Sequence, residues 1–477
     1  MDSNELVLKK AAKVALAALG GLFILGALFY KERALFSDAA FRLFYSINNG
    51  TPSLPGNRYG AFIIQVLPYL AQQLNFPVKA IIFCYSISYN LFYFSVAALL
   101  VFRYKQYGFA ILMTLFYFLF VSESFLWVSE TFIGVAWMFL FFAVTIHLGR
   151  RNVNIFLLLI PFSLLAALTI FSHFVIIIPT FFLLVFLILE KKNWPFSKKN
   201  SVLLISALAV IIALKCLDTS SQPYDQNNLY GLTHFSLQDI INTFTSPILV
   251  SFFFRCLTNY WVAIIIFILG IVSLVKHKEK KLAAWIIISL IGNFIVLGLT
   301  YPKWDWIGHC FHIESEFASV AVIVAAGFAF SFLPRLTPKV ASALLAAIFI
   351  IRFIYICIAA TPFTLRTNFN EQILAQMRKK GIPKLCIINE DRLLSTNMLS
   401  WGLPYESLMM SEMDGDKPQL TFFLVNIDDK HTQEMIADTK SFYNSFNIIP
   451  ASFLNKKYFS IDTIQPYSIM TYNDLFK

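Results

Sequence analysis

Apolar runs of roughly fifteen to twenty-five residues recur along this chain, each closed by a short polar connection. In lipid, backbone N–H and C=O groups must be satisfied within the segment itself, so runs of this kind become helices. A helix of about twenty residues is about 30 Å long, the thickness of a bilayer's hydrocarbon core. The runs fall near 12–30, 78–102, 107–121, 131–148, 154–171, 174–189, 201–217, 254–275, 282–300, 317–333 and 340–360. The expected fold class is therefore an all-α polytopic membrane protein with about eleven transmembrane helices.

Composition points the same way. Of 477 residues, 58% are hydrophobic and only 14% charged, with a mean hydropathy of +0.68; soluble chains carry about a quarter charged residues. The 51 Phe and 20 Tyr suit lipid-facing and interfacial surfaces and require no cofactor. The net charge of +11 would fit a nucleic-acid partner, but the Lys and Arg sit in short clusters between apolar runs, the pattern that orients membrane proteins. A nucleic-acid partner is therefore not expected. None of the six cysteines forms a CxxC, so a disulfide framework or zinc site has no support, and no cofactor is expected.

Lys9, Lys10 and Lys13 precede an apolar run to Tyr30 that is long enough to span, with no small-residue cleavage site after it. This reads as an uncleaved first span with a cytoplasmic N-terminus. The cytoplasmic connections are then Arg103-Tyr104-Lys105, Gly149-Arg150-Arg151, Glu190-Lys191-Lys192 with Lys198-Lys199, the run from Lys276 to Lys281, and Arg335 with Lys339. All are basic, as the positive-inside tendency demands. Tyr59–Leu74 is apolar but short and carries Gln65, Pro68, Gln72 and Gln73. A crossing there would invert the charge rule for every later loop, so it is expected to lie flat at the interface. No internal repeat or low-complexity tract stands out.

Beyond Thr364 the composition changes. Helical stretches (Asn370–Lys380, Lys430–Phe442) alternate with the apolar runs Leu385–Ile388 and Leu420–Val425. This suggests two domains: residues 1–363 as the transmembrane part, with interfacial helices in an outer loop at 31–77, and residues 364–477 as a small α/β domain outside the membrane.

The outer loops hold the mixed chemistry. Asp38 and Arg42 are four apart, sharing a face of a helix from about Asp38 to Asn48, while Phe36, Ala40, Phe41, Phe44 and Ile47 form an apolar face suited to an interface. Ser37 or Asp38 is equally a good N-cap, and Asp38–Arg42 equally a surface pair. Glu123 and Glu130 bracket Phe125-Leu126-Trp127, and Glu130 is the better site candidate because it leads directly into apolar sequence. The helix dipole favours an acid there in any case. Arg58, His173, Lys303, His309 and His312 are the candidate groups for stabilising an anion, although His173 also suits a plain turn. His309-x-x-His312-x-Glu314-x-Glu316 reads either as metal ligands or as a polar loop lining a cleft, and the spacing matches no fixed metal motif. Trp304 and Trp306 fit the interfacial aromatic belt. Arg352 falls inside a span, where an ionisable residue is either functional or snorkels to the interface.

A first span followed directly by Ser37-Asp38-Ala39-Ala40-Phe41, two short interfacial helices, about ten further spans and a terminal soluble domain resembles the GT-C class of membrane glycosyltransferases. Ala39 stands where many of that class carry a second acidic residue. The resemblance implies that Asp38 is the base that activates an acceptor hydroxyl. It implies a polyprenyl-phosphate sugar as donor, a glycan, lipid or protein as acceptor, and transfer on the outer face of a bacterial cytoplasmic membrane. Arg42, Arg58, Glu130, His173, Lys303, His309, His312, Glu314 and Arg352 would contact substrate. Two other readings remain beside it: a transporter or flippase of lipid-linked substrates, and a non-catalytic scaffold for envelope assembly. Mid-span charge is sparse and ionisable groups gather on one face, which favours surface chemistry over a path through the bilayer.

Overall fold

The computed structural model describes residues 3–220, 226, 230–301, 311–388, 393, 398–425, 433–434 and 437–477. In chain order, α1 (Ser3–Leu28), α2 (Tyr30–Ala34), α3 (Ser37–Asn49), α4 (Ile63–Gln73), α5 (Val78–Ala98), α6 (Tyr107–Leu119), α7 (Glu130–Arg150), α8 (Ile155–Ile170), α9 (Ile177–Glu190) and α10 (Lys198–Ser220) build the first half. There follow α11 (Leu237–Thr243), α12 (Pro247–Thr258), α13 (Trp261–Lys276), α14 (Lys280–Thr300), α15 (Phe311–Glu316), α16 (Ala318–Gly327) and α17 (Pro338–Ala359). Eight helical stretches among the described residues are long and apolar enough to cross a membrane; α6, α8, α9 (with its leading turn) and α13 are apolar but shorter. The interior of the bundle is rich in aromatic side chains, and α6 is buried along its whole length. Glycines allow α13 and α16 to cross closely, since a Cβ at Gly270 would lie 2.7 Å from the Phe328 backbone nitrogen.

Two stretches depart from the expected layout. The run expected as one span at 254–275 is divided between α12 and α13, with Asn259 and Tyr260 at the break. The backbone carbonyl of Asn259 leaves the helix ladder to accept from the Arg352 guanidinium at 2.5 Å, which explains the interruption. Within the stretch expected as a loop, α11 forms on a capping box between Ser236 and Asp239. Its joint span with α12, Leu237–Thr258, is one of the eight apolar stretches.

Tyr59–Leu74 becomes a short turn and the 11-residue α4, about 16 Å long and too short to cross. It packs against α5, with Gln72 donating to the Ile47 carbonyl at 2.7 Å and Gln65 accepting from the Ser53 amide at 2.7 Å. The glutamines that make this run a poor span are thus the ones that tie it to the preceding loop.

After α17 the chain continues with almost no break into α18 (Thr361–Lys380), which ends on Gly381 in the left-handed region (φ 66°). A parallel sheet in the order β2-β1-β5 follows, from β1 (Lys384–Ile388), β2 (Thr421–Val425) and β5 (Ser468–Met470), beside an antiparallel pair β3 (Ser441–Tyr443) and β4 (Ile448–Pro450). Helix α19 (Leu403–Met413) lies between β1 and β2 in sequence, and α20 (Tyr472–Phe476) ends the chain. The expected helix at Lys430–Phe442 runs into strand β3 at its end; residues 433, 434 and 437 are helical, and 430–432 and 435–436 lie outside the described residues.

The apolar face of α3 is occupied by this C-terminal unit, not left for the membrane surface. Phe44 packs its ring against Tyr405, Phe442 and Phe459, and Phe41 against Trp401, Tyr405 and Phe446. An amphipathic helix reads the same in sequence whether lipid or protein covers it, because only the burial of its apolar stripe is encoded.

Candidate functional site

Helix α3 has its opposite face to account for, and that face opens on a cavity of about 530 Å³. Asp38, Arg42, Arg58, Glu130, His173 and His312 all line it. They come from α3, the loop before α4, the start of α7, the turn after α8, and α15, so five separated segments converge.

Glu130 is the anchor of the polar wall. Ser129 caps α7 through its hydroxyl, which accepts from the Thr131 amide, and this holds Glu130 at the first helical position. Its two carboxylate oxygens then receive Arg42 Nη2 at 2.5 Å and Arg58 Nη1 at 3.3 Å. Arg42 and Glu130 are both buried, so the pair is a charge-assisted contact removed from water. The expected Asp38–Arg42 partnership is therefore replaced: Arg42 turns away to Glu130. Asp38 accepts instead from the Trp127 indole N–H, with Nε1 to Oδ2 at 3.0 Å.

Nor is Asp38 a cap. Phe36 occupies the N-cap position of α3 without a side-chain bond, and Asp38 sits one residue inside the helix. Half-buried, with one oxygen held and the cavity in front of it, its carboxyl is pushed up from the ordinary aspartate range by desolvation; Arg42 opposes this shift and Glu130 adds to it. The histidines move the other way. Burial drives the His312 imidazole down to about 4. His173 lies well below its usual value, first through burial and then through Arg58, Lys215 and Arg42. Its Nδ1 accepts from the Val175 amide at 3.4 Å, which leaves the proton on Nε2. The cavity wall thus brings together two imidazoles that burial pushes toward the neutral form, the guanidiniums of Arg42 and Arg58, and the carboxyls of Asp38, Glu130 and Glu316.

Other expected residues lie elsewhere. The Glu314 carboxylate is turned from the cavity, accepting from the amides of Ser122 and Ser124 at 2.9 and 2.7 Å, from the Ser124 hydroxyl at 2.6 Å and from Tyr260 OH at 2.7 Å. Arg352 is fully buried. It donates to the carbonyls of Phe118 (2.8 Å), Val121 (3.2 Å) and Asn259 and to the Ser122 hydroxyl (2.8 Å). The two residues therefore clamp Ser122 between them and brace the loop carrying Trp127 and Glu130, without touching the cavity. A buried guanidinium saturated by carbonyls does not snorkel. Lys303 and His309, with Trp304 and Trp306, lie outside the described residues. Among the described residues no three His, Cys, Asp or Glu side chains are grouped as a metal site.

Several contributors were not singled out in sequence. Trp127 was one residue of a polar loop, with nothing to mark its indole as the partner of Asp38. Ser315, on the wall beside His312, meets Ser129 across the cavity edge, hydroxyl to hydroxyl at 3.0 Å. Trp401 and Phe446 reach the rim from the C-terminal unit, with their rings 5.2 Å apart. Leu399, also on the wall, is held at φ 51°, where a non-glycine residue is strained. Arg33, fully buried, donates to the Ser86 hydroxyl and to the carbonyl of Phe125 in the loop that carries Trp127, with the Phe125 ring 4.2 Å from its guanidinium carbon.

The C-terminal unit also holds α3 from its first turn. Ser37, at φ 45°, donates its backbone N–H to Glu406 Oε1 at 2.8 Å. Glu406 is completely buried against Arg366 and also receives the Asn370 amide at 3.4 Å. A helix N-terminus carries free N–H donors and a positive dipole end, so a carboxylate there is favoured.

Comparison with protein-family models, with curated proteins and with solved structures found no match.

Proposed function

We propose that this chain is a membrane glycosyltransferase of GT-C type that moves a sugar from a polyprenyl-phosphate donor to an acceptor hydroxyl, with Asp38 as general base. The observation that carries the reading is the setting of Asp38. Its carboxyl has a raised proton affinity and faces a cavity walled by Arg58 and two neutral histidines, with Trp401 and Phe446 at the rim. In the reaction Asp38 takes the acceptor O–H proton as that oxygen bonds to the sugar's anomeric carbon. The bond from that carbon to the phosphate oxygen breaks, and the electron pair leaves with the phosphate. Arg58, whose Nη1 lies 3.3 Å from Glu130 Oε2 on the cavity wall, is the cation placed to meet that charge. The aromatic pair at the rim offers flat apolar faces to sugar rings.

The same reading sets the orientation. The cavity would open on the outer face of a bacterial cytoplasmic membrane, with the N-terminus and the basic connections in the cytoplasm, about eleven crossings, and the C-terminal unit in the periplasm. The test is Asp38→Asn in purified protein supplied with a panel of polyprenyl-phosphate sugars and the membrane extract as acceptor. Transfer by the native protein should fall by two orders of magnitude or more, with Trp127 still able to donate to the amide oxygen. Undiminished transfer by the variant removes Asp38 as the base. Uptake of a lipid-linked substrate into sealed vesicles without any transfer would replace the reading with a transporter.

A further inference from the structure

A second polar cavity, also of about 530 Å³, lies at the other end of the bundle. Helix α7 connects the two: Glu130 at its first residue lines one cavity and Arg150 at its last lines the other. Its 21 residues rise about 30 Å, the depth of a hydrocarbon core. Each of the five basic connections contributes to the second cavity, through Lys105, Arg150, Lys192, Glu279 and Arg335, and Glu5 joins them from the start of α1.

Three features distinguish this cavity from a solvated ring of charges. Gln106 lines it while being 8% exposed, and its Nε2 is buried with no hydrogen-bond partner among the described residues. An unmet buried amide donor is costly and is retained where something else meets it. Next, the two π-helical turns assigned among the described residues, Leu99–Arg103 and Phe328–Phe332, both end here. The first delivers Tyr104, Lys105 and Gln106 to the wall, and the second contributes Phe330 and Ser331 and leads on to Pro334 and Arg335. Such turns recur at functional sites because they displace the following side chains from the regular helical track.

The third feature is the charge balance. The Arg335 guanidinium is taken up by Glu279 at 3.1 Å and by Ser273 and Ser331, so this pair is internally neutral. Glu190 accepts from the Asn193 backbone and side-chain amides, and Arg150 donates to the neutral Asn193 side chain at 3.0 Å, keeping its charge uncompensated by that contact. Lys105, Arg150 and Lys192 then stand against Glu5 and Glu190, leaving the wall with one net positive charge.

We propose that this cavity is a binding site for a phosphate ester monoanion, with Gln106 Nε2, Lys105 and Arg150 as its donors. A singly charged anion matches both the net charge and the missing acceptor for Gln106. At this depth the ester can arrive as a phospholipid headgroup from the adjoining leaflet or as a soluble phosphate ester, and the chemistry of recognition is shared. The site is independent of the transfer reaction proposed for the opposite cavity.

The test measures binding to purified full-length protein of phosphatidylglycerol, of phosphate-free galactosyl-diacylglycerol, and of glycerol phosphate, each by native mass spectrometry and by thermal shift. Phosphatidylglycerol is expected to bind and the galactolipid not. Gln106→Leu should weaken binding roughly tenfold, and Lys105→Ala with Arg150→Ala by more than that. If the double variant does not fold, Gln106→Leu decides alone, since it removes only the unmet donor. Glycerol phosphate binding with the same sensitivity to Gln106→Leu assigns the soluble source; binding of the lipid alone assigns the headgroup. Equal binding of both lipids, no binding of any phosphate, or phosphate binding unaffected by Gln106→Leu overturns the proposal.

Discussion

The backbone N–H of Ser37 donates to the side chain of Glu406 at 2.8 Å, joining residues 369 positions apart. Ser37 begins the helix that carries Asp38, and Glu406 belongs to the helix between the two longest strands of the C-terminal unit. Arg366 holds the same carboxylate through both of its terminal nitrogens. The candidate base is thus aimed by a residue that sequence order places in a different domain.

Glu406→Ala should therefore be among the more damaging single changes. It strands a guanidinium that is 2% exposed and leaves the Ser37 amide unmet. Loss of one partner from a buried pair costs about 3–5 kcal/mol. Thermal unfolding of the purified protein measures it, and a cost under about 1 kcal/mol would contradict the structure. Glu406→Gln keeps an acceptor for Ser37 and should lose less.

Gly402→Ala tests the same contact by volume. A Cβ there would sit 2.6 Å from Ser37 Cα and 2.6 Å from Glu406 Oε1, so the backbone of α3 has to move. A destabilisation of about 1–3 kcal/mol is expected, and Asp38 should shift with its helix. Gly292→Ala, where a Cβ meets nothing within 4 Å, is the matched control. It should be neutral or stabilising by up to about 1 kcal/mol.

His312 sets a pH dependence of stability. Its folded value of about 4 lies below the ordinary 6.5, so between those values the unfolded chain binds the extra proton. Stability is complete above about pH 6.5 and falls as pH drops toward 4. At pH 5 this one residue should remove about 2 kcal/mol. His312→Gln should flatten the decline in melting temperature between pH 7 and 5; an unchanged slope would refute the burial assigned to this ring.

Arg42 and Glu130 should shift the activity profile in opposite directions. Arg42 holds the Asp38 carboxyl down and Glu130 raises it. With Asp38 as the proposed base, which works when deprotonated, the acid limb of the pH–rate curve should move to higher pH in Arg42→Met. In Glu130→Gln it should move to lower pH. A common direction in both variants would detach the limb from Asp38.

Much of this arrangement was readable before any coordinates. Apolar runs long enough to become helices, the five basic connections and the gathering of Asp38, Arg42, Arg58, Glu130, His173 and His312 in the other connections follow from hydropathy and charge, which are read along the sequence itself. The partners of those residues were not. That Arg42 prefers Glu130 to Asp38 depends on where α7 arrives, 88 residues further along. Arg352 read as a site residue because an ionisable group inside a span signals function, and Glu314 because it falls in the polar run with His309 and His312. Their saturation by carbonyls and amides around Ser122 is visible only once the loop is folded. The lipid-surface reading of α3 failed for a related reason: an apolar stripe does not say what covers it.

The span between Ser37 and Glu406 also carries a cost in time. A ribosome adding roughly 5–20 residues per second needs on the order of 20–70 s to pass from one to the other. Through that interval the newly emerged α3 has neither a partner for its first amide nor cover for Phe41 and Phe44. The segment that carries Asp38 is thus made well before the helix that completes its geometry. Chaperone dependence and proteolytic vulnerability during biogenesis should concentrate there.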